Sequence, residues 1–203
     1  MTEAEYTNAS DKAVKGLKQA ELAARAGLPP VEQWHPTRKH RIDMRIAADG
    51  SWYYQGSKIT RAKLVKLFAS ILRRDDDGSY HLITPVEQAQ IDVEDAPFVA
   101  VALDVAGDGV GQTLAFTTSV GDVAVAGPAH PLRFDIDGDT QQPSPYIHIR
   151  GTGRRALEAR INRAVYYQLA DLGVTHRVEG DEWFGVWSDG VFFTLQRAAE
   201  LAG

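Results

Sequence analysis

The chain has 203 residues, a formal net charge of −5 and no cysteine. The lack of cysteine excludes disulfides, thiolate nucleophiles and cysteine-bound zinc or iron–sulfur sites. The net acidity argues against broad, sequence-independent binding to nucleic acid, so no nucleic-acid partner is expected. No apolar run approaches the roughly 20 residues that span a bilayer, and the first residues lack the apolar core of a signal peptide. We therefore expect a cytoplasmic protein with no membrane partner.

The first 28 residues differ in composition from the rest of the chain. Residues 10–27 are rich in alanine, with Ser10 or Asp11 as a possible N-cap. Gly27 and the prolines that follow it would end a helix there. Because apolar residues are sparse in this segment, we expect residues 1–28 to form a helical extension outside the core.

A strand, a turn, a second strand and a helix are predicted between Ile42 and Leu72. Apolar and polar residues alternate over 42–46, Asp49-Gly50 is a hairpin signal, and Trp52-Tyr53-Tyr54 suits the returning strand. A helix follows, with Thr60 as a possible cap, and two short strands are expected near 81–84 and 90–94. The basic run 35–41 is interpreted as a solvated loop.

The second half has the pattern of short antiparallel strands with one more helix. Strands are predicted around 99–105, 114–117, 123–125, 132–136 and 147–149. A helix is predicted from about Arg155 to Leu172, with Gly173 just beyond its end, and a hairpin closes the chain at 184–194. Strands separated by only two helices indicate the α+β class.

An internal repeat relates the two halves. Met44–Gly50 aligns without a gap on Leu132–Gly138, and both segments end in Asp-Gly. A small shift then places Arg61, Leu64, Phe68 and Leu72 on Arg154, Leu157, Ile161 and Val165. Chance similarity of two hairpin–helix units is the alternative. We favour duplication of a β-β-α-β-β unit, with subdomains at residues 29–97 and 98–203.

No motif of catalysis, cofactor binding or metal binding is present. Gly107-x-Gly109-x-Gly111 is followed by a strand instead of a helix, which indicates a hairpin loop and not a dinucleotide site. Asp135–Asp139 lacks the glycine and glutamate of a calcium loop. Nucleophile elbows, phosphate-binding loops and zinc-protease motifs do not occur. No cofactor, metal or catalytic residue is therefore predicted.

Basic residues open both predicted helices, directly after a strand and a glycine. The two segments are Gly56–Arg61 and Gly151–Arg155. Cations oppose the dipole of a helix N-terminus, whereas a bound anion would be favoured by the dipole, the free amides and the cations together. Simple extension of these side chains into solvent is the alternative. Because ligands often bind between domains, we predict an anion site between the halves, formed by Arg45, Trp52, Tyr54, Lys58, Arg61, Arg133, His148 and Arg150.

The chain resembles domain-of-unknown-function family 1285 over most of its length. The resemblance is carried by IDMRIAADGSWYYQG at 42–56, LVKLFASILRRDDDGSYHLITPVE at 64–87, PYIHIR at 145–150 and GVWSDGVFF at 185–193. It implies a bacterial protein with a duplicated core and a C-terminal half similar to a pleckstrin-homology fold. It also implies a nucleotide-like ligand between the halves and a role in signal transduction.

These observations give one leading hypothesis and two alternatives. The leading hypothesis is a non-catalytic binding or regulatory protein, in which Arg45, Lys58 and Arg61 contact phosphate and Trp52 or Tyr54 stacks on the ligand. An enzyme for a phosphorylated small molecule would use His148 as acid–base and Asp135 to orient it, which requires the two side chains to lie within hydrogen-bond reach. A protein-interaction module would use exposed sheet edges to bind a protein partner.

Overall fold

The computed structural model describes residues 27–136 and 143–199. These residues form two compact units. The first unit comprises the chain up to Asp95 together with Thr152–Arg155, and the second comprises Ala96–Gly151 and the chain from Ala156 onward. The helix predicted over residues 10–27 falls almost wholly outside the described ranges. No helix in the described part of the chain is long and apolar enough to cross a membrane.

The first unit is a six-stranded sheet with one helix. The chain connects β1 and β2 through an Asp49-Gly50 turn, and α1 carries it from β3 at one edge of the sheet to β4 at the other. The strand order is β3-β2-β1-β6-β5-β4; β1 and β6 are parallel and the other pairs are antiparallel. The elements are β1 (Arg38–Ile46), β2 (Trp52–Tyr54), β3 (Ser57–Lys58), α1 (Ala62–Ser70), β4 (Leu72–Arg74), β5 (Tyr80–Ile83) and β6 (Glu87–Val93).

The second unit has a six-stranded sheet, one helix and a separate three-stranded antiparallel sheet. The larger sheet has the order β10-β11-β12-β7-β8-β9 with β7 and β12 parallel, and the smaller has the order β13-β14-β15. The elements are β7 (Phe98–Ala106), β8 (Thr113–Thr118), β9 (Val123–Val125), β10 (Leu132–Ile136), β11 (Pro143–Arg150), β12 (Leu157–Ile161), α2 (Arg163–Asp171), β13 (Val174–Val178), β14 (Asp181–Ser188) and β15 (Val191–Arg197).

The two large sheets have the same topology. When the strands of each sheet are numbered from its own first strand, both orders become 3-2-1-6-5-4 in space, with the first and sixth strands parallel at the centre. The α+β class and the duplicated two-unit architecture are therefore confirmed. The C-terminal half consists mainly of antiparallel strands and one helix, the composition that its pleckstrin-like description implied.

The topology corrects the alignment of the repeat. β1 is the counterpart of β7, so Met44 does not correspond to Leu132, which begins β10. The place of α1, between the third and fourth strands, is taken in the second unit by the helix-free connection 126–131, and α2 follows the sixth strand. The alignment was wrong because any two hairpins with the same apolar alternation and an Asp-Gly turn match over a few residues.

The second helix is also shorter than predicted. Residues 157–161 form strand β12, in which Leu157, Ala159 and Ile161 are buried at alternate positions. The helix begins only after Asn162, whose side chain accepts a hydrogen bond from the Val165 amide at 2.8 Å. The apolar spacing at 157 and 161 fits both a helix and a strand, and the asparagine cap decides between them.

The start of β1 differs from the prediction as well. The strand begins at Arg38, where it pairs with Glu87 of β6, so residues 38–41 of the basic run are not a solvated loop. Behind this sheet, Trp52 is 1% exposed and its ring stacks on Phe68 of α1 at 6.1 Å between centroids. This contact fixes α1 against the sheet and leaves its basic residues on the outside.

Candidate functional site

Four exposed cations lie on the segment that joins β2 to β4, and we call them the basic surface: Lys58, Arg61, Lys63 and Lys66. The segment from Gly50 to Arg74 contains six lysines and arginines and no aspartate or glutamate. Among the described residues, none of the four makes an ion pair within 4.0 Å. Their charges are therefore available to a ligand.

The start of α1 adds to this positive character. Arg61 is the N-cap residue, its side chain forms no capping hydrogen bond, and no acidic residue lies in the first turn. A capping aspartate or serine normally satisfies the free amides at this position. The positive end of the helix dipole and the cations of the basic surface therefore favour an anion together.

The glycine before this helix has a different role from the one predicted. Gln55 and Gly56 both have positive φ angles, 48° and 73°, and form the two-residue turn between β2 and β3. Gly56 therefore does not open the helix. Lys58 lies on β3 opposite Tyr53, and the residues from Ile59 to Arg61 lead into α1.

Of the two aromatic residues predicted to stack on a ligand, one is accessible. Trp52 is buried against Phe68, so its ring cannot meet a ligand and that part of the prediction is wrong. Tyr54 is 44% exposed at the end of β2 and is available. The sequence did not distinguish them because both lie on the same face of a short strand, at its buried and its exposed end.

Arg45 is occupied by an acidic partner in the first unit. Its guanidinium pairs with Glu94 and lies 4.5 Å from the centre of the Tyr53 ring. The same carboxylate accepts the Ala48 amide at 3.0 Å. Phosphate would have to displace Glu94, so Arg45 is not a free phosphate ligand in this structure.

Two predicted arginines of the second unit are similarly engaged. Arg133 donates to Glu158 at 2.8 and 3.0 Å, pairs with Asp135 and lies 4.2 Å from the centre of the Tyr146 ring. These hydrogen bonds raise the pKa of Arg133. Arg150 is largely buried, 3.8 Å from Asp122 and 5.0 Å from the Phe98 ring, and burial lowers its pKa. Both guanidinium groups are therefore engaged by carboxylates and aromatic rings of the second unit.

The catalytic pair considered for the enzyme hypothesis is not assembled. Asp135 pairs with Ser144 in the strand register, four residues from His148 on β11, a separation of about 13 Å along the strand. The Asp135 carboxylate binds Arg133, and Nε2 of His148 lies 2.8 Å from the Gly151 carbonyl. The two side chains therefore do not form an acid–base pair.

The second basic segment, 151–155, is not the start of an α-helix. Gly153–Arg155 form a short 3₁₀ helix, and this segment belongs to the first unit. Arg155 donates to Asp76 at 2.8 and 3.0 Å and to Glu32 at 3.0 Å, and these hydrogen bonds raise its pKa. Arg155 therefore binds the segment 152–155 to the rest of the first unit, and its guanidinium is already engaged by two carboxylates.

Tyr54, Lys58 and Arg61 thus remain accessible from the predicted set, and the structure adds Lys63 and Lys66. These two lysines are three residues apart on the exposed side of α1. The signal that could have identified them is the absence of acidic residues over the 25 residues from Gly50 to Arg74. Among the described residues, no group of three or more histidine or acidic side chains is arranged to hold a metal ion.

Comparison with known families covers nearly all of the described chain. Residues 29–96 match the N-terminal domain model described as a domain of unknown function (DUF1285), and residues 97–195 match the corresponding C-terminal domain model. The chain belongs to the DUF1285 family. The resemblance found in the sequence is therefore confirmed, and no curated protein matches the chain.

Two solved structures are similar to this DUF1285 chain. A DUF1285 family protein from Silicibacter pomeroyi DSS-3 shares 48% identity, with 91% of this chain and 98% of that chain covered and a TM-score of 0.78. A DUF1285 family protein from Shewanella baltica OS155 shares 34% identity, with 63% and 90% covered and a TM-score of 0.48. The first relative supports the fold across most of the chain.

Proposed function

We propose that the protein is a cytoplasmic, non-catalytic binding or regulatory protein that takes an anionic, nucleotide-like ligand at the basic surface of its first unit. The proposal includes a role in signal transduction, with which reversible binding without turnover is compatible. The observation that carries the proposal is the set of four exposed cations, Lys58, Arg61, Lys63 and Lys66, without ion pairs among the described residues.

The four cations of the basic surface follow one another along a single segment, whereas several other arginines of the chain are engaged by carboxylates. Arg45, Arg133 and Arg155 each meet a carboxylate. The chain as a whole carries more aspartate and glutamate than lysine and arginine, but the segment from Gly50 to Arg74, which holds the basic surface, contains no acidic residue. Charge-assisted hydrogen bonds from lysine and arginine to phosphate are roughly twice as strong as neutral ones.

A nucleotide is favoured over a simple inorganic anion because Tyr54 is available beside the basic segment. Tyr54 is 44% exposed and lies at the end of β2, immediately before the turn into β3. An aromatic face can stack on a base, and such stacking contributes about 1–3 kcal/mol per base in nucleic-acid complexes. Tyr54 shares the sheet face of Trp52, on which α1 packs, whereas Lys58 is opposite Tyr53 and lies on the other face. Phosphate would then lie on Arg61 and the lysines of α1, and the base on Tyr54.

A thermal-shift assay with nucleoside triphosphates, nucleoside monophosphates and uncharged nucleosides tests this proposal. At a ligand concentration 100 times Kd the free energy of unfolding should rise by about 2.7 kcal/mol. We expect stabilisation by the phosphorylated compounds, reduced in Arg61→Ala and largely retained in Lys39→Ala, which removes an exposed cation of β1. Absence of any shift, or equal shifts in Arg61→Ala and the wild type, would rule the proposal out.

A further inference from the structure

The small sheet of the second unit begins with a strand whose outer edge is open. β13 stands at the end of the order β13-β14-β15 and, among the described strands, pairs only with β14. Its first four residues are exposed, and the strand contains one charged residue, Arg177, but no proline, lysine or bulge. Proline, lysine and bulges are among the features that protect an edge, so the backbone groups of β13 can accept another strand.

One face of this sheet, next to the open edge, is aromatic. The ring centroids of His176, Trp187 and Phe192 lie 5.0 to 5.1 Å from one another. Trp183 is opposite His176 in the strand register and has the Arg197 guanidinium 5.2 Å from its ring centre. We call this set the aromatic face: His176, Trp183, Trp187 and Phe192.

Gly185 holds the aromatic face in place. It lies between Trp183 and Trp187 on β14, and a Cβ atom there would be 2.7 Å from the Phe192 ring and 2.3 Å from the Phe193 carbonyl oxygen. The Phe192 ring therefore packs directly on the glycine backbone. The face is formed before any partner binds, which lowers the entropic cost of binding.

Carboxylates mark the end of the edge at the β13–β14 turn. Asp181 pairs with Arg197 at 3.3 Å, whereas Glu179 and Glu182 are exposed and make no ion pair within 4.0 Å among the described residues. Arg177 is opposite Glu182 in the strand register, so three carboxylates meet two arginines at this end of the edge. The half of the chain from Ala96 onward, without 152–155, has thirteen acidic residues and six arginines, with no lysine. This end of the edge therefore favours a cationic residue in whatever binds there.

We propose that β13 is the docking edge for an extended segment of a partner protein. The segment adds to the sheet as a fourth strand, places alternate apolar or aromatic side chains beside the aromatic face, and carries a lysine or arginine next to Glu179 and Glu182. In this mode, backbone hydrogen bonds supply affinity and alternate side chains supply specificity. The site is independent of the basic surface, because it uses other residues and needs no anion.

A labelled model peptide tests the docking edge on the full chain by fluorescence anisotropy. The probe alternates valine and threonine, contains one tyrosine and carries a lysine at each end; its matched probe has glutamate in place of lysine. We expect the lysine probe to bind at least about tenfold more tightly than the glutamate probe. Binding should also slow hydrogen exchange of the β13 amides, which side-chain contact alone would not do.

Two lysine substitutions locate the binding. Val174→Lys places a charge on the β13 edge and should weaken the lysine probe about tenfold, whereas Val123→Lys makes the same change at the exposed edge strand β9 and should change affinity less than about twofold. No binding of the lysine probe, equal effects of both substitutions, or no added protection of β13 would overturn the proposal. The proposal would also be overturned if the protein formed a dimer that Val174→Lys dissociates, because the strand bound at β13 would then come from a second copy of this chain.

Discussion

Ser188 makes two hydrogen bonds in the interior of the second unit although its side chain is fully buried. Its hydroxyl accepts from the Leu114 amide at 3.0 Å and donates to the Ala126 carbonyl at 2.6 Å. The residue therefore ties β14 of the small sheet to the large sheet at β8 and the end of β9. A single hydroxyl satisfies one donor and one acceptor that water cannot reach.

Replacing this hydroxyl tests its contribution to stability. Ser188→Ala leaves the Leu114 amide and the Ala126 carbonyl without a partner, and the free energy of unfolding should fall by about 1–3 kcal/mol. Ser57→Ala, at an exposed position of β3, is the control and should stay within about 0.5 kcal/mol of the wild type. Urea unfolding measures both, and equal stabilities of the two variants would refute the assignment.

His81 gives the first unit a predictable pH dependence. Burial lowers the pKa of its imidazole below 6.5, in spite of Asp75, which lies 3.4 Å from Nδ1 and acts in the opposite direction. Arg73, Asp77 and Lys39 also influence this group, more weakly. Because the unfolded chain binds the proton more readily than the folded one, stability is present above pH 6.5 and is lost as the pH falls below it.

Urea unfolding midpoints at about pH 8 and about pH 5.5 test this linkage. Carboxylates with lowered pKa values lose their contribution to stability only at more acidic pH, so they do not interfere in this range. Those carboxylates are Asp49, Asp76 and Asp77. The wild type should lose more stability on acidification than His81→Asn does. Because each protein is compared with itself at the two pH values, any pH-independent effect of the substitution on the free energy of unfolding cancels. An identical loss in both proteins would contradict the role of His81.

At the scale of elements, β14 depends on a glycine that the sequence did not single out. A Cβ atom at Gly185 would lie 2.3 Å from the Phe193 carbonyl oxygen, and that backbone atom belongs to the paired strand β15. The collision cannot be relieved by rotating a side chain. The strands must separate or the aromatic face must shift.

Gly185→Ala should therefore destabilise the protein by about 1–3 kcal/mol through overpacking. Gly111→Ala is the matched control, because a Cβ atom there meets nothing within 4 Å and its φ is not in the left-handed region. That variant should change the free energy of unfolding by less than about 1 kcal/mol. Thermal or urea unfolding of both proteins decides the matter, and a control as unstable as Gly185→Ala would invalidate the packing argument.

Local patterns predicted most elements but not the relation between them. The strands 123–125 and 132–136 and the closing hairpin agree with the structure because alternation and Asp-Gly turns act within a few residues. The second helix was extended too far because the buried alternation of β12 also fits a helical stripe. The parallel pairing of first and last strands, which reveals the true repeat, joins residues 47 to 61 positions apart and leaves no local signal.

For the candidate site, charge could be predicted from the sequence but partners could not. The acid-free segment from Gly50 to Arg74 identifies the basic surface. Nothing local shows that Arg45 meets Glu94, that Arg133 meets Glu158, or that Trp52 rather than Tyr54 is buried. These contacts depend on strand register and helix packing, so they required the structure.

At the scale of the whole molecule, charge is divided unevenly between the two units. The first has sixteen lysines and arginines against fourteen acidic residues, and the second has six against thirteen. The net acidity of the protein therefore conceals a positive unit. The basic surface brings together four cations on one segment that make no ion pair within 4.0 Å among the described residues, which favours the binding of an anion there.

Calorimetric titration with a nucleoside triphosphate, at two salt concentrations, measures binding to the basic surface itself. We expect binding that weakens as salt rises, because exposed charges are screened over about 8–10 Å at physiological ionic strength. A variant with Lys58, Arg61, Lys63 and Lys66 all changed to glutamine should bind at least about tenfold more weakly, since loss of a single charged contact costs about 1.4 kcal/mol or more. Lys39→Gln should bind like the wild type. Equal affinity of the fourfold variant and the wild type, or no binding by either, would contradict the account.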